Sequence, residues 1–426
     1  MRRLRHRKLW ITVLTIVMVV TIGLLLAQDQ EYIYVQSAYS AEDPKFPAYV
    51  AAIAGSPLTR GGRFEVLTNG VQIMPAMLAA IQQARERIVF ETYVFTDGMY
   101  ARQFSEALAA AARRGVRVFL LLDAIGAKGI GAANEKTLRD AGVAVAWFNP
   151  ISFRHAEEIN GRTHRKILVV DGTVGFTGGV GIADYWAGNA DAPDRWRDTQ
   201  IRIEGPPVRY LEACFYENWI ESAGVVMPVI SELPELRADV TDTEILSVPV
   251  WSSPVGGHNG VKKLYLLSLN AARRTVDLQT PYFVMDGSTK WSLLQAAARG
   301  VRVRLLLEGD TTDSRPVKHA SRRGYEDLLT AGIEIYEYQP TMMHAKAMIV
   351  DGIWSVIGSS NLDNRSLELN DENNIAIADR TIATRLAQDF DIDLTRSSRI
   401  HLEQWRKRSL LAKIRERFWG AFGELF

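Results

Sequence analysis

Two stretches of the chain carry one pattern of apolar and polar positions. Arg114-Gly115-Val116-Arg117-Val118 leads into Phe119-Leu120-Leu121-Leu122-Asp123, and Arg299-Gly300-Val301-Arg302-Val303 leads into Arg304-Leu305-Leu306-Leu307-Glu308. A short apolar run bounded by glycine and charge predicts a buried strand. Alanine-rich segments of helical character precede both, at 104–113 and 293–298. A second matched pair follows, Ala141-Gly142-Val143 running to Pro150 and Ala331-Gly332-Ile333 running to Pro340. Helix, strand, helix and strand in the same order predict right-handed βαβ units, and so a largely parallel sheet covered on both faces. Four matched segments in one order make the chain an internal repeat. The expected fold class is α/β: two tandem domains at 60–225 and 248–395, related by pseudo-two-fold symmetry. Each is a mixed, mostly parallel sheet flanked by helices. Residues 226–247, with Pro228 and Pro234, form the junction.

Each repeat ends in the same polar signature. The first reads Thr163-His164-Arg165-Lys166, then an apolar run to Asp171-Gly172; the second reads Met343-His344-Ala345-Lys346, then an apolar run to Asp351-Gly352. An Asp-Gly pair between β-branched runs predicts a two-residue hairpin. His and Lys, two apart, then share a strand face, while Asp171 and Asp351 have opposite parity and shape the turns. Pairing across such a turn sets His344 opposite Ser359, with Asn361 on the same face, and His164 opposite Gly179. A register shift or bulge would break that arrangement.

The grouping suits a phosphate anion: an imidazole, an ammonium and neutral donors at one point. Two copies suit a phosphodiester. One neutral imidazole attacks phosphorus, a second imidazolium protonates the leaving alkoxide, and two lysines hold the charge on the equatorial oxygens. Each His also needs a carboxylate on its other ring nitrogen. Asp198 and Glu372 occupy matching places at the start of the next strand. No metal or other cofactor is expected. His6, His155, His258, His319 and His401 lack the motif's context and read as solvated. His319 lies in a basic stretch where it could touch an anionic headgroup.

Charge adds little for the whole chain and much for its ends. The formal net charge is +1, which argues against nucleic acid as the main partner. Cys214 is the single cysteine, so no internal disulfide or cysteine-rich metal site exists. Arg2, Arg3, Arg5, Arg7 and Lys8 precede an uncharged run from Leu9 to Ala27, and acidic residues follow. Residues 1–28 therefore read as a basic flank and single-pass anchor, N-terminus inside, with 29–59 a linker. A cleaved leader ending at Ala38-Tyr39-Ser40 is the competing reading. At 396–426, Trp405, Leu411, Ile414, Phe418 and Phe422 recur at helical spacing among Arg and Lys. That fits a basic amphipathic helix on anionic lipid, or one docked on the core.

The paired His-x-Lys-x-x-x-x-Asp motifs, followed by Gly178-Gly179 or Gly358-Ser359, resemble those of the phospholipase D superfamily. Thr280-Pro281-Tyr282-Phe283, Trp196-Arg197-Asp198-Thr199 and Trp405-Arg406-Lys407-Arg408 narrow the likeness to bacterial cardiolipin synthases of that type. The resemblance implies a phosphatidyl-histidine intermediate attacked by a second phosphatidylglycerol, giving cardiolipin and glycerol. It implies roles for His164, Lys166, His344 and Lys346, phosphate contacts from Ser359 and Asn361, and His partners in Asp198 and Glu372. The N-terminal anchor, read with its basic flank inside, puts the protein in the bacterial inner membrane with its catalytic domains on the outer face. A phospholipase D releasing phosphatidic acid, and a phosphodiesterase or nuclease of the same superfamily, are the alternatives. One departure stands out: the family's Gly-Gly-x-Asn is Gly178-Gly179-Val180-Gly181 here.

Overall fold

The two Arg-Gly-Val-Arg segments feed matching strands of two sheets. A computed structural model of the chain describes residues 8, 10–19, 33–150, 160–225 and 244–423. The first half holds β1 (Arg63–Thr68), β2 (Arg87–Thr92), β3 (Arg117–Asp123), β4 (Ala144–Phe148), β5 (Ile167–Val170), β6 (Val174–Gly178) and β7 (Thr199–Glu204). Their spatial order is β1-β7-β6-β5-β2-β3-β4. The second half holds β8 (Leu246–Ser253), β9 (Thr275–Gln279), β10 (Arg302–Glu308), β11 (Glu334–Tyr338), β12 (Ala347–Val350), β13 (Trp354–Gly358) and β14 (Glu372–Ala378). Their order, β8-β14-β13-β12-β9-β10-β11, is the same topology. Helices Met99–Arg113 and Gly287–Ala298 each join two parallel strands, as the alanine-rich runs predict.

The sheets are mixed, but the expectation of mostly parallel pairing is corrected. Only β2-β3 and β3-β4 run parallel in the first half, whereas β2-β5, β5-β6, β6-β7 and β7-β1 are antiparallel. The βαβ grammar governs three strands; the hairpin after His-x-Lys and the strand beyond it reverse direction. Ile167, Val169, Ile201 and Phe215 of the first half share one buried cluster with Ala347, Ile349, Ile375 and Ile377 of the second. Full burial of such aliphatic side chains stabilises by about 1.5–3 kcal/mol each. The apolar seam thus brings the two His-x-Lys segments together.

Two terminal expectations are also corrected. The supposed linker packs on the second half. Helix Phe46–Ala54 buries Phe46 and Val50 there, the Phe46 ring meets Trp354 at 4.9 Å, and Thr59–Arg60 adds a strand beside β8. Past 396 the chain is not one helix. Ser397–Ile400 pairs with β11, and short helices follow at Leu402–Arg406 and Leu410–Gly420. Buried Trp405 breaks the pattern by stacking on Tyr325 at 5.0 Å, whereas Leu411, Ile414 and Phe418 stay exposed. Among the described residues no helix is long and apolar enough to cross a membrane. Within the expected anchor only residues 8 and 10–19 are described, as helix; the rest of 1–28, most of the junction, His6 and His155 lie outside the described residues.

Candidate active site

Asp171 and Asp351 hold the floor of the site. Asp171 accepts the backbone N–H groups of Arg85, Glu86 and Arg87 at 2.8–2.9 Å; Asp351 accepts those of Arg273, Arg274 and Thr275 at 2.7–2.9 Å. Each carboxylate thereby ties its hairpin to the start of the neighbouring strand. The turns are one residue longer than expected. Asp171 and Asp351 take left-handed φ of 51° and 52°, as do Gly172 and Gly352, and Val170 then pairs with Val174 and Val350 with Trp354. The extra residue, Thr173 or Ile353, shifts the register by one. Gly179 and Ser359 are therefore not the partners of His164 and His344. The strands begin at Ile167 and Ala347, so His and Lys lie in the extended segments just before them.

Those segments pair with the opposite half. His164 N–H donates to the Asp371 carbonyl at 2.9 Å, and His344 N–H to the Arg197 carbonyl at 2.7 Å. The residue after each of those carbonyls is a carboxylate. Glu372 Oε1 lies 2.8 Å from His164 Nδ1, and Asp198 Oδ2 lies 2.8 Å from His344 Nδ1. Each histidine is thus oriented by the other half. A carboxylate on Nδ1 fixes the proton there and leaves Nε2 as the reactive atom.

The lysines complete the set. Lys166 Nζ donates to the His164 carbonyl at 2.8 Å, and Lys346 Nζ to the His344 carbonyl at 2.7 Å. Lys346 Nζ also lies 3.2 Å from His344 Nε2. All six groups are buried. Burial, reinforced by the lysine charges, pushes His164 down to about 4 and His344 to about 3, against the pull of their carboxylates. Burial likewise lowers Lys166 to about 7 and Lys346 to about 8, outweighing Glu372 and Asp198 respectively. Burial opposes the charge on Glu372, but His164, Lys166 and Ser359 together hold it below the usual carboxylate range. The site is a pocket of neutral imidazoles and of lysines whose hold on their protons burial has weakened and a bound anion would strengthen. Among the described residues no group of three His, Cys, Asp or Glu side chains could hold a metal ion.

With this geometry in place, comparison with known proteins is direct. The family model "Cardiolipin synthase, PLD-like domain" matches residues 77–192 and 265–394, taking in both His-x-Lys segments. "Cardiolipin synthase 2" of Bacillus anthracis is 34% identical over 353 residues, covering 82% of this chain and 68% of its own. The chain belongs to the cardiolipin synthase family of phospholipase D-like proteins. "Cardiolipin synthase A" of Pseudomonas putida (strain GB-1) is 31% identical over 391 residues, covering 89% of this chain and 79% of its own. Phosphatidylserine synthase of Haemophilus influenzae Rd KW20 shares the fold at TM-score 0.70 and 12% identity, over 90% of this chain and all of the other.

Within the family frame, the residues after each hairpin have crossed duties. Ser359 does not face an open phosphate site: its hydroxyl donates to Glu372, the partner of His164. Gly179 lies against Asp198, the partner of His344, and a Cβ there would come within 2.3 Å of Asp198 Oδ1. Asp198 receives its second hydrogen bond from Trp186 Nε1 at 2.9 Å. Trp186 therefore plays for Asp198 the part that Ser359 plays for Glu372. The same ring explains Gly181, where a Cβ would meet Trp186 at 3.0 Å and the Val94 Cβ at 2.9 Å. The indole occupies the room that the family's asparagine side chain needs. Asn361 is buried with its side-chain oxygen unpartnered. A half-turn of that amide would present its NH2, the donor an anion needs.

Several site residues lie outside the His-x-Lys motifs. Trp186 and Trp196 flank the His344 ring at 5.5 and 5.2 Å, and Tyr93 flanks His164 at 5.3 Å. Arg197, buried beside Asp198, forms an ion pair with Asp393 of the second half at 2.9 Å. The usable signal for these was position: Tyr93 directly follows β2, and the two tryptophans fall between the hairpin and Asp198. Of the other histidines, His258 lies 5.9 Å from Trp251, and His319 and His401 fall outside the site.

Proposed function

We propose that the chain transfers a phosphatidyl group from one phosphatidylglycerol to another, making cardiolipin and releasing glycerol. The observation that carries this is the crossed pair of His-carboxylate couples with two buried lysines, on a family whose relatives are named cardiolipin synthases. His164 Nε2 attacks phosphorus and forms the P–N bond as the P–O bond to the leaving glycerol breaks. His344 gives that oxygen its proton. His344 then takes a proton from the incoming hydroxyl, which attacks phosphorus and frees His164. Free His344 is neutral, and the phosphodiester anion raises its proton affinity on binding. Lys166, Lys346 and Asn361 contact the phosphate, while Ser359 and Gly179 act through the carboxylates.

The enzyme works at a bilayer. Supporting this, residues 10–19 are helical with Trp10, Leu14 and Val17 exposed, and Leu410, Leu411, Ile414 and Phe418 are exposed on the terminal helix. Basic Lys407, Lys413 and Arg417 flank that patch, as anionic lipid requires. An uncleaved anchor, with the catalytic halves outside the inner membrane, fits the buried Ala41, which a cut after Ser40 would expose as a chain end. Detergent-solubilised protein with labelled phosphatidylglycerol tests the whole reading. Cardiolipin and glycerol are expected. Phosphatidic acid alone would make it a hydrolase, and cleaved single-stranded DNA without lipid product would overturn the lipid assignment.

A further inference from the structure

The two histidines sit in different company. Tyr93, the aromatic neighbour of His164, feels the charges of Asp123, Arg365 and Arg162, and least that of Asp313. On the His344 side a carboxylate that the transfer reaction has not used is tied in through Tyr282. Thr92 and Thr280 mark the same turn in both halves, each hydroxyl donating to the carbonyl two residues on, at 3.1 and 3.0 Å. Tyr282 thus stands where the first half has Val94. Its ring lies 6.5 Å from His344, and its hydroxyl lies 2.6 and 2.7 Å from the two oxygens of Asp313.

Among the described residues Asp313 has no salt bridge of its own and is held in place by its loop. Lys318 ties down the loop through Gly309 and Asp310, and Ser314 N–H donates to Thr312 Oγ1 at 3.0 Å. The carboxylate is open to water, yet Tyr185 and Lys346 both feel its charge. Tyr185 packs on Trp196 at 4.1 Å, and Trp196 on His344. Carboxylate and proton-handling imidazole are therefore linked through Tyr282, with Trp196 and Tyr185 stacked on the other side of His344.

We propose that Asp313, steadied by Tyr282 beside His344, is a headgroup subsite that recognises the hydroxyls of a glycerol acceptor and so favours an alcohol over water. The proposal rests on the phosphatidyl-transfer reading. Each carboxylate oxygen keeps lone pairs beyond its contact with Tyr282, enough to accept from the secondary hydroxyl of a phosphatidylglycerol headgroup. The headgroup's primary hydroxyl then faces His344. In the step itself the acceptor oxygen forms its bond to phosphorus, the bond from phosphorus to His164 Nε2 breaks, and the acceptor's proton goes to His344 Nε2. Water has no second hydroxyl to hold, so it gains nothing from Asp313. The charge of Lys346 also reaches Asp313, which makes the carboxylate a poorer site for a cationic amine than for a neutral polyol.

The test uses the full chain in detergent with phosphatidyl-p-nitrophenol as donor, and measures how the phosphatidyl group partitions between added alcohol and water. That ratio is internal to each protein, whatever its total turnover. Wild type should trap glycerol at least about tenfold better than n-propanol at equal concentration, because a site built for hydroxyls rejects an analogue lacking them. Asp313→Asn and Tyr282→Phe should each lower the glycerol-to-water ratio about tenfold and leave the n-propanol ratio as it was. Equal trapping of glycerol and n-propanol by wild type would overturn the subsite even if neither variant folds. So would an unchanged glycerol ratio in Asp313→Asn, or ethanolamine outcompeting glycerol with the variant's loss confined to ethanolamine. Failure of wild type to release nitrophenolate would overturn the transfer reading and the subsite together.

Discussion

His164 takes its orienting carboxylate from the other half of the molecule, Glu372 Oε1 standing 2.8 Å from its Nδ1, while Asp198 returns the same service to His344. The cause lies in the backbone: each His-x-Lys segment hydrogen-bonds to the residue just before the opposite carboxylate. The active site is a property of the seam and belongs to neither half. Replacing a carboxylate by its amide keeps the shape and spoils the tautomer, so Asp198→Asn and Glu372→Gln should each lower kcat about a hundred- to ten-thousand-fold. The two losses differ in kind. With a nitrophenyl donor that needs no acid, Asp198→Asn should accumulate phosphatidyl-enzyme on His164, and Glu372→Gln should not. Mass spectrometry of rapidly quenched protein reads this directly; equal accumulation in both would contradict the assignment of His164 as nucleophile.

Anion binding should report the state of the lysines. Burial has lowered Lys166 to about 7 and Lys346 to about 8, so each begins to lose its proton near neutrality. An oxyanion binds the ammonium forms, and once pH exceeds these values the protein must take up protons to bind. Tungstate affinity should therefore fall at least about tenfold between pH 7 and 9, and proton uptake should accompany binding. Titration calorimetry in buffers of different ionisation enthalpy measures both. A flat affinity with no uptake would show that the lysines stay charged in the empty site.

The repeat and its signature were plain in the chain because each rests on local rules. Apolar runs ending in Asp123 and Glu308 form strands, and Asp-Gly turns form hairpins, wherever they lie. The matched sheet topology follows from that. What local rules miss is the exchange between halves. Counting residues across a two-residue turn set Ser359 beside His344, but one extra loop residue and an interface of non-adjacent strands put it with Glu372 and His164. Asp198 and Glu372 were visible as carboxylates in matching places, not as crossed partners. Helix Phe46–Ala54 gave no sign of its docking site, because an apolar face does not say which surface covers it.

The lysines also weigh on stability. A lysine whose folded-state pKa is lowered is disfavoured by folding at every pH where the unfolded chain keeps it charged. The penalty is absent above the unfolded value of 10.5, grows as pH falls, and is complete below the folded value of about 8. Lys346→Met retains most of the packing volume and removes the charge. At pH 7 its Tm should equal or exceed that of wild type, and the gain should vanish as pH rises toward 10.5. Activity should fall by at least about a thousandfold, since the residue opposes charge developing on phosphate. A variant less stable than wild type at pH 7 would show that Asp198 and Glu372 need that ammonium more than burial disfavours it.

Gly181 looks like a loss from the family pattern, and the packing says that it and Gly179 are both requirements. A Cβ at 181 would lie 2.9 Å from the Val94 Cβ and 3.0 Å from the Trp186 ring, and both neighbours are held, Trp186 by its bond to Asp198. Gly181→Asn, which restores the family residue, should therefore destabilise by about 1–3 kcal/mol, the usual cost of overpacking, and lower Tm. It should also lower activity, because displacing Trp186 removes a donor from Asp198. Gly179→Ser acts one step closer: its Cβ would come within 2.3 Å of Asp198 Oδ1 and push the carboxylate from His344. Its activity should fall as far as that of Asp198→Asn. The reciprocal Ser359→Gly deletes only a hydroxyl from Glu372 and should cost far less, about tenfold in kcat. Thermal unfolding and phosphatidyl-transfer rates on the three variants check the order. Wild-type activity in Gly179→Ser would mean that Asp198 need not stand where the seam has put it.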